Sequence, residues 1–205
     1  MIVHLAGSVG EDVEAEIIAE WSEIAPVDRV DRMYMLSIGP PEFLAIAAEY
    51  QVWANAIGAA VGLFFAELTK EAAKATWRNK AAIARVLGSA AMWPLRQAAE
   101  VLHGARGKLA RGAQVGIRIN VGYEIQIRVA LEGDVEMIAA DLAAIVRSGE
   151  ELAHVASEIE HGPLSAGGQY FAEIAADGRV TLNWISSEPM RRQSRIVGMP
   201  IDGGV

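Results

Sequence analysis

Alternating apolar and polar residues mark one segment in the middle of the chain. From Val115 to Val121 every second residue is aliphatic, and the same alternation runs from Ile125 to Leu131. Because successive side chains of a strand point to opposite faces of a sheet, this pattern predicts two strands joined as a hairpin. Each strand has one apolar and one polar face, so the sheet is expected to be covered on one side only.

The residues before this hairpin follow a helical pattern. Residues 41–77 are rich in alanine, and residues 50–66 contain no charged side chain, which predicts a long apolar central helix. Further upstream, the apolar runs Ile2–Ala6 and Met33–Ile38 predict strands on either side of an acidic helix that ends near Ile24.

The residues after the hairpin predict one or two helices and a second hairpin. Apolar residues recur every three or four positions from Val135 to Ile159, and Ser148-Gly149 leaves open whether this is one helix or two. Residues 170–184 predict a hairpin that turns at Asp177-Gly178, a preferred type I′ pair.

These elements together predict the α+β class. We expect a mixed or antiparallel sheet with helices packed on one face and a long apolar central helix. Residues 1–187 are expected to form a single domain, and residues 188–205, which are rich in arginine and glycine, a loosely ordered C-terminal tail.

Composition narrows the class of protein. Apolar residues make up 52% of the chain, as in globular proteins, and cysteine is absent, which excludes disulfides and thiol chemistry. The first residues lack the basic start of a signal peptide, so we expect a cytoplasmic protein.

Charge is divided unevenly along the chain. Residues 11–31 carry eight acids against one base, whereas residues 70–128 carry eleven bases against three acids. The net charge of −8 and the shortage of aromatic residues among the bases argue against nucleic-acid binding. We expect the two blocks to complement each other, within the chain or across a protein interface that uses Arg106, Lys108 and Arg111.

One helical face predicts a metal site as an alternative. His154, Glu158 and His161 follow each other at a spacing of one helical turn, which places them on the same face. The seam of apolar residues lies on the opposite face, and no fourth ligand is evident, so a solvated helix face competes with this interpretation.

The uncharged run also contains a motif for close helix packing. Gly58 and Gly62 form a GxxxG step, the device by which helices approach closely. We expect a buried helix whose glycines admit a neighbouring helix, with membrane insertion of residues 43–68 as the alternative. On this helix we predict that four side chains are buried within the protein: Ile57, Val61, Leu63 and Phe64.

The order of the predicted elements carries one resemblance. A strand, an acidic helix, a strand and a long Ala/Gly-rich helix precede a hairpin that ends in Leu131-Glu132-Gly133-Asp134 before another helix. This order, over roughly residues 1–147, resembles the effector-associated constant components of bacterial conflict systems. The resemblance implies a small, non-enzymatic accessory domain linked to a defence effector, and it transfers no functional residues.

The sequence therefore favours a non-catalytic component that binds another protein or forms a homodimer. It predicts no catalytic residue and no cofactor. The alternatives are a metal-dependent enzyme that uses the His154, Glu158 and His161 face, and a membrane-inserting effector that uses the apolar helix.

Overall fold

A computed structural model describes most of the chain. The described residues are 1–33, 43–72, 79–110, 112–121, 125–159, 169–175, 177–187 and 190–197. They form one mixed sheet with helices packed on one face, so the predicted α+β class is confirmed.

Eight strands make up the sheet in the spatial order β2-β1-β3-β4-β5-β6-β7-β8. Neighbours β1–β2, β3–β4 and β5–β6 are parallel, and the remaining neighbours are antiparallel. The strands are β1 (Ile2–Ala6), β2 (Arg29–Met33), β3 (Phe43–Glu49), β4 (Gln114–Val121), β5 (Ile125–Ala130), β6 (Gln169–Ile174), β7 (Val180–Ser187) and β8 (Met190–Val197).

Five α-helices are described, and a short 3₁₀ helix at Ala90–Met92 precedes the fourth. The α-helices are α1 (Glu11–Ser22), α2 (Tyr50–Ala72), α3 (Lys80–Leu87), α4 (Trp93–Lys108) and α5 (Val135–Glu158). Helix α5 contacts strands β4 to β8, while α2 and α4 pack against α5 and the central strands. The hydrophobic core lies between this helical layer and the sheet.

The sequence left open whether the residues after the first hairpin form one helix or two, and the structure shows one helix, α5. It is a single helix, begun by Asp134, whose side chain accepts a hydrogen bond from the backbone N–H of Met137 at 3.1 Å. Ser148 and Gly149 are buried within it, and the absent side chain of Gly149 makes room for the ring of Tyr50.

The predicted start of the apolar helix was wrong. Residues Phe43–Glu49 form strand β3, and α2 begins only at Tyr50. Strand β3 lies between β1 and β4 at the centre of the sheet, where both of its faces are buried. A strand buried on both faces is apolar throughout, and tertiary pairing overrides the helical preference of its alanines. Strand β2 likewise ends at Met33, and residues 34–38 of the predicted strand lie outside the described residues.

The two predicted hairpins are present, with one correction. Strands β4 and β5 pair as expected, with Ile117 opposite Val129. Strands β6 and β7 also pair, but Asp177 does not adopt the positive φ of a type I′ turn. Only Gly178 does (φ 79°), as in longer hairpin loops that place glycine in the left-handed conformation.

The predicted loose tail is wrong for residues 190–197. They form strand β8, which pairs with β7 along eight residue pairs. Arg192 contacts Glu173 of β6 at 2.6 Å, and Arg195 contacts Glu158 of α5 at 3.5 Å. Charged side chains are common on edge strands because they discourage aggregation, so the arginines here belong to an edge strand. Residues 188–189 and 198–205 lie outside the described residues.

Candidate functional site: the helix-free face of the sheet

The face of the sheet turned away from the helices carries a distinct set of side chains. In each strand, the residues that belong to the hydrophobic core point toward the helices, and the residues that alternate with them point to the opposite face. All five described helices pack on the core side of the sheet. The register brings the following residues together on the helix-free face: His4, Asp31, Phe43, Ala45, Ala47, Gly116, Arg118, Gln126, Arg128, Phe171, Asn183, Ile185 and Ile196.

Two arginines stand directly opposite each other near the centre of this face. Arg118 of β4 pairs in register with Arg128 of β5. Arg118 is only 8% exposed, and its Nη1 donates a hydrogen bond to Oε1 of Gln126 at 3.3 Å. Burial and the neighbouring charge of Arg128 both lower the pKa of Arg118. Like charges opposite each other in a sheet are unfavourable, so this pair opposes folding unless an anion accompanies it.

His4 lies near these arginines on β1. The side chain is 7% exposed, and neither ring nitrogen has a hydrogen-bond partner among the described residues. Burial lowers the pKa of His4, and the positive charge of Arg118 lowers it further. Among the described residues its acidic neighbour is Asp31, whose Oδ2 lies 3.9 Å from Nδ1 and whose carboxylate is paired with Arg29 at 2.8 Å.

Small residues lie between the histidine and the arginines. In register, His4 faces Ala45, Ala45 faces Gly116, and Ala47 faces Arg118. Phe43 precedes these alanines on the same face of β3, and Cζ of Arg118 lies over its ring, 5.9 Å from the centroid. We call His4, Arg118, Gln126 and Arg128 the basic cluster.

The other end of the same face carries three exposed apolar side chains. Phe171 of β6 is 39% exposed, Ile185 of β7 57% and Ile196 of β8 58%. We call these three residues the apolar patch. Ile196 lies on the edge strand β8, whose outer edge has no partner strand among the described residues.

The GxxxG step does not serve close helix packing in this chain. A β carbon at Gly58 would meet only Ala54 of the same helix at 3.8 Å, and at Gly62 it would meet nothing within 4 Å. The core prediction holds for Ile57, Val61 and Phe64 but is wrong for Leu63, which is 46% exposed. Close approach to another element occurs instead at Gly149.

The length and composition of helix α2 also fit a membrane span. The segment Tyr50–Leu68 has a mean hydropathy of 1.3, and 39% of it is buried within the protein. Such a segment is weak evidence for insertion, because the core helix of a soluble protein has the same properties.

The basic residues proposed for an interface make contacts inside the chain. Lys108 lies 3.0 Å from both Glu16 and Glu20 of the acidic helix α1, which is the complementarity that the charge blocks suggest. Arg106 donates hydrogen bonds to the backbone carbonyls of Leu131 and Gly133. Arg111 lies outside the described residues, and an interface role for these three residues stays a prediction.

Part of the predicted metal-binding face can be described. Nε2 of His154 lies 3.2 Å from Oε1 of Glu158, and both side chains are at least half exposed. His161 lies outside the described residues. In the part of the chain that is described, no three His, Asp or Glu side chains are arranged to hold a metal ion.

A cleft of about 400 Å³ lies beside the start of β4 and the end of β5. Arg106 and Glu132 are its charged lining residues, and Arg106 is already bound to backbone carbonyls. Its lining supplies no nucleophile and no paired acid and base, so it does not resemble a catalytic site.

The sequence contained part of the signal for this face. The alternation in β4 and β5 placed Arg118 and Arg128 on a polar face, whereas His4 lies within an apolar run, Ile2–Ala6, that has no polar pattern. The apolar patch could not be foreseen, because Ile196 was assigned to a loose tail. No family model, curated protein or solved structure matches this chain.

Proposed function

We propose that this protein is a non-catalytic binding component that holds another protein on the helix-free face of its sheet. The observation that carries the proposal is the apolar patch: Ile185 and Ile196, the most exposed large apolar side chains described, lie on the same face of the neighbouring strands β7 and β8, four residue pairs apart along the ladder. Isoleucine exposed on neighbouring strands gains free energy when a partner covers it.

The edge strand indicates the chemistry of the partner. Strand β8 carries Arg191, Arg192 and Arg195 beside an outer edge without a described neighbour. An extended segment can add to such an edge through backbone hydrogen bonds, and acidic side chains on it would complement the arginines. Pairing of β8 with β8 of a second copy would bring like charges together, so the edge favours a different protein.

The resemblance in element order extends the proposal to an accessory module of a bacterial defence system. Strand β3 adds an element to that order. The acidic helix α1, the apolar helix α2 and the β4–β5 hairpin still follow one another in the same order along the chain. An effector encoded beside this chain is therefore the first partner to test.

Replacing Ile185 and Ile196 together with threonine tests the binding surface. Threonine keeps the branched β carbon that strands favour but removes apolar area. We expect binding of the adjacent effector, measured by isothermal titration, to weaken about tenfold or more, which corresponds to ~1.4 kcal/mol. Stability to urea should change by less than about 1 kcal/mol, because both residues are exposed.

A double substitution on helix α2 provides the matched control. Val52 and Leu63 are exposed apolar residues on that helix, and V52T with L63Q should leave effector binding unchanged. Loss of binding in the α2 variant alone would contradict the proposal and favour assembly through the apolar helix. Light scattering of both variants would then show whether that assembly is a homodimer.

The contact between His154 and Glu158 keeps a metal-dependent enzyme as the second candidate. Our proposal expects purified protein to contain no stoichiometric zinc or manganese, and to keep its unfolding midpoint in the presence of a chelator. Elemental analysis checks the first expectation and thermal unfolding the second. One metal ion per chain that is lost in His154→Ala would move the assignment to the enzyme.

A further inference from the structure

We propose that the basic cluster binds a phosphoryl group on the helix-free face, between β1 and β5. This site is separate from the protein-binding proposal, because none of its residues belongs to the apolar patch. Its components are two opposed guanidinium groups, a buried imidazole and a carboxamide.

The first argument is charge balance. None of the acids described on this face forms an ion pair with Arg118 or Arg128. Asp31 is paired with Arg29, Glu173 is paired with Arg192, and Glu49 of β3 pairs with neither arginine. Two positive charges thus lack a described counterion. A phosphoryl group carries a charge of about −1.5 to −2 at neutral pH and would balance both.

The second argument is hydrogen bonding. Nε of Arg128 and both ring nitrogens of His4 are buried without a hydrogen-bond partner among the described residues. Leaving such groups unsatisfied costs free energy, so a site of this kind is expected to have a ligand. The fork of donors on each arginine matches the oxygens of a phosphoryl group, and neutral His4 can donate one further hydrogen bond.

The third argument is space. Ala45, Ala47 and Gly116 are the residues on this face between His4 and the arginines. Ala45 and Ala47 are themselves buried, and the guanidinium of Arg118 lies over the ring of Phe43, so a ligand would reach the arginines from the β5 side. Arg128 and Gln126 are only half-buried, so the β5 side of the cluster remains open to solvent.

Thermal unfolding with inorganic phosphate tests the site, with chloride and acetate at equal ionic strength as controls. We expect phosphate at low millimolar concentration, but not acetate, to raise the unfolding midpoint, because an anion that binds the native state stabilises it. At such concentrations the general stabilising effect of phosphate, which comes from its exclusion from the protein surface, is small. Arg128→Gln should weaken phosphate binding about tenfold or more, and Arg128→Lys less, because lysine keeps the charge without the fork.

The matched control is Arg192→Gln. This arginine lies on the same face, is paired with Glu173 and should not affect phosphate binding. Circular dichroism establishes that each variant is folded, and removal of Arg128 is expected to relieve repulsion rather than unfold the sheet. Equal stabilisation by phosphate and acetate, or equal phosphate binding by the Arg128→Gln and Arg192→Gln variants, would overturn the proposal.

A phosphoserine peptide and its unphosphorylated form distinguish the source of the group. Binding of phosphate and phosphopeptide with similar affinity indicates a free phosphate compound. Tighter binding of the phosphopeptide that also depends on Arg128 indicates a phosphorylated partner. Unchanged effector binding by the Ile185 and Ile196 double variant, with intact phosphate binding by the wild type, would refute the apolar patch and leave this site standing.

Discussion

Replacing Gly116 with alanine is expected to destabilise the protein by more than about 3 kcal/mol, an effect in the upper range for single substitutions. A β carbon at this position would overlap the carbonyl oxygen of Val129 and lie 3.1 Å from its carbonyl carbon and 3.4 Å from Cα of Ala130. These are backbone atoms of the paired strand β5, so no side chain can move aside. Strands β4 and β5 would have to separate at the centre of the sheet. Urea unfolding followed by circular dichroism measures the loss.

Gly62→Ala is the matched control for this substitution. Gly62 is exposed on helix α2, and a β carbon there meets nothing within 4 Å. Alanine in an exposed helix is more favourable than glycine by about 0.5–1 kcal/mol, so this variant should be slightly more stable. A Gly116→Ala protein as stable as the wild type would show that β4 and β5 do not approach so closely in solution.

Replacing Trp53 with alanine is expected to cost about 3–5 kcal/mol, as for other large buried aromatic residues. Trp53 is fully buried and meets Trp21 edge to face, with ring centroids 5.9 Å apart. Its Nε1 donates a hydrogen bond to the backbone carbonyl of Arg118 at 3.3 Å. The substitution therefore removes the packing that joins α1 and α2 as well as a hydrogen bond to the strand that carries the basic cluster.

Two further variants separate the contributions. Trp53→Phe keeps most of the volume and loses the hydrogen bond, which leaves a buried carbonyl without its donor at a cost of about 1–3 kcal/mol. Trp93→Ala removes a tryptophan that is 39% exposed and should cost less than Trp53→Ala. Equal urea midpoints for the Trp53→Ala and Trp93→Ala proteins would contradict the packing described here.

The sequence predicted those elements in which apolar and polar residues alternate with a clear period. The β4–β5 hairpin has aliphatic residues on one face and mostly polar residues on the other, so its alternation is visible in the residue order. Strand β3 is buried on both faces and rich in alanine, and such a run has no period that distinguishes it from a helix. Its identity as a strand depends on β1 and β4, which lie far from it in the chain.

The candidate site was harder to predict for a similar reason. Arg118 and Arg128 are neighbours through the hairpin, which sequence spacing can indicate. His4 joins them only through the register of β1, β3 and β4. Ile185 and Ile196 share one face of the sheet because β8 folds back on β7, and a strand with three arginines gave no apolar pattern from which to predict this.

The parallel pairing of β3 with β4 has a consequence for synthesis of the chain. Phe43 pairs with Gln114, and three α-helices and the short 3₁₀ helix are described between them in the sequence. During translation β3 can pair with β1 early, but its other edge stays unpaired until β4 has left the ribosome. An apolar strand with an open edge is prone to aggregate, so the growing chain passes through an interval in which α2, α3 and α4 or a chaperone must shield it.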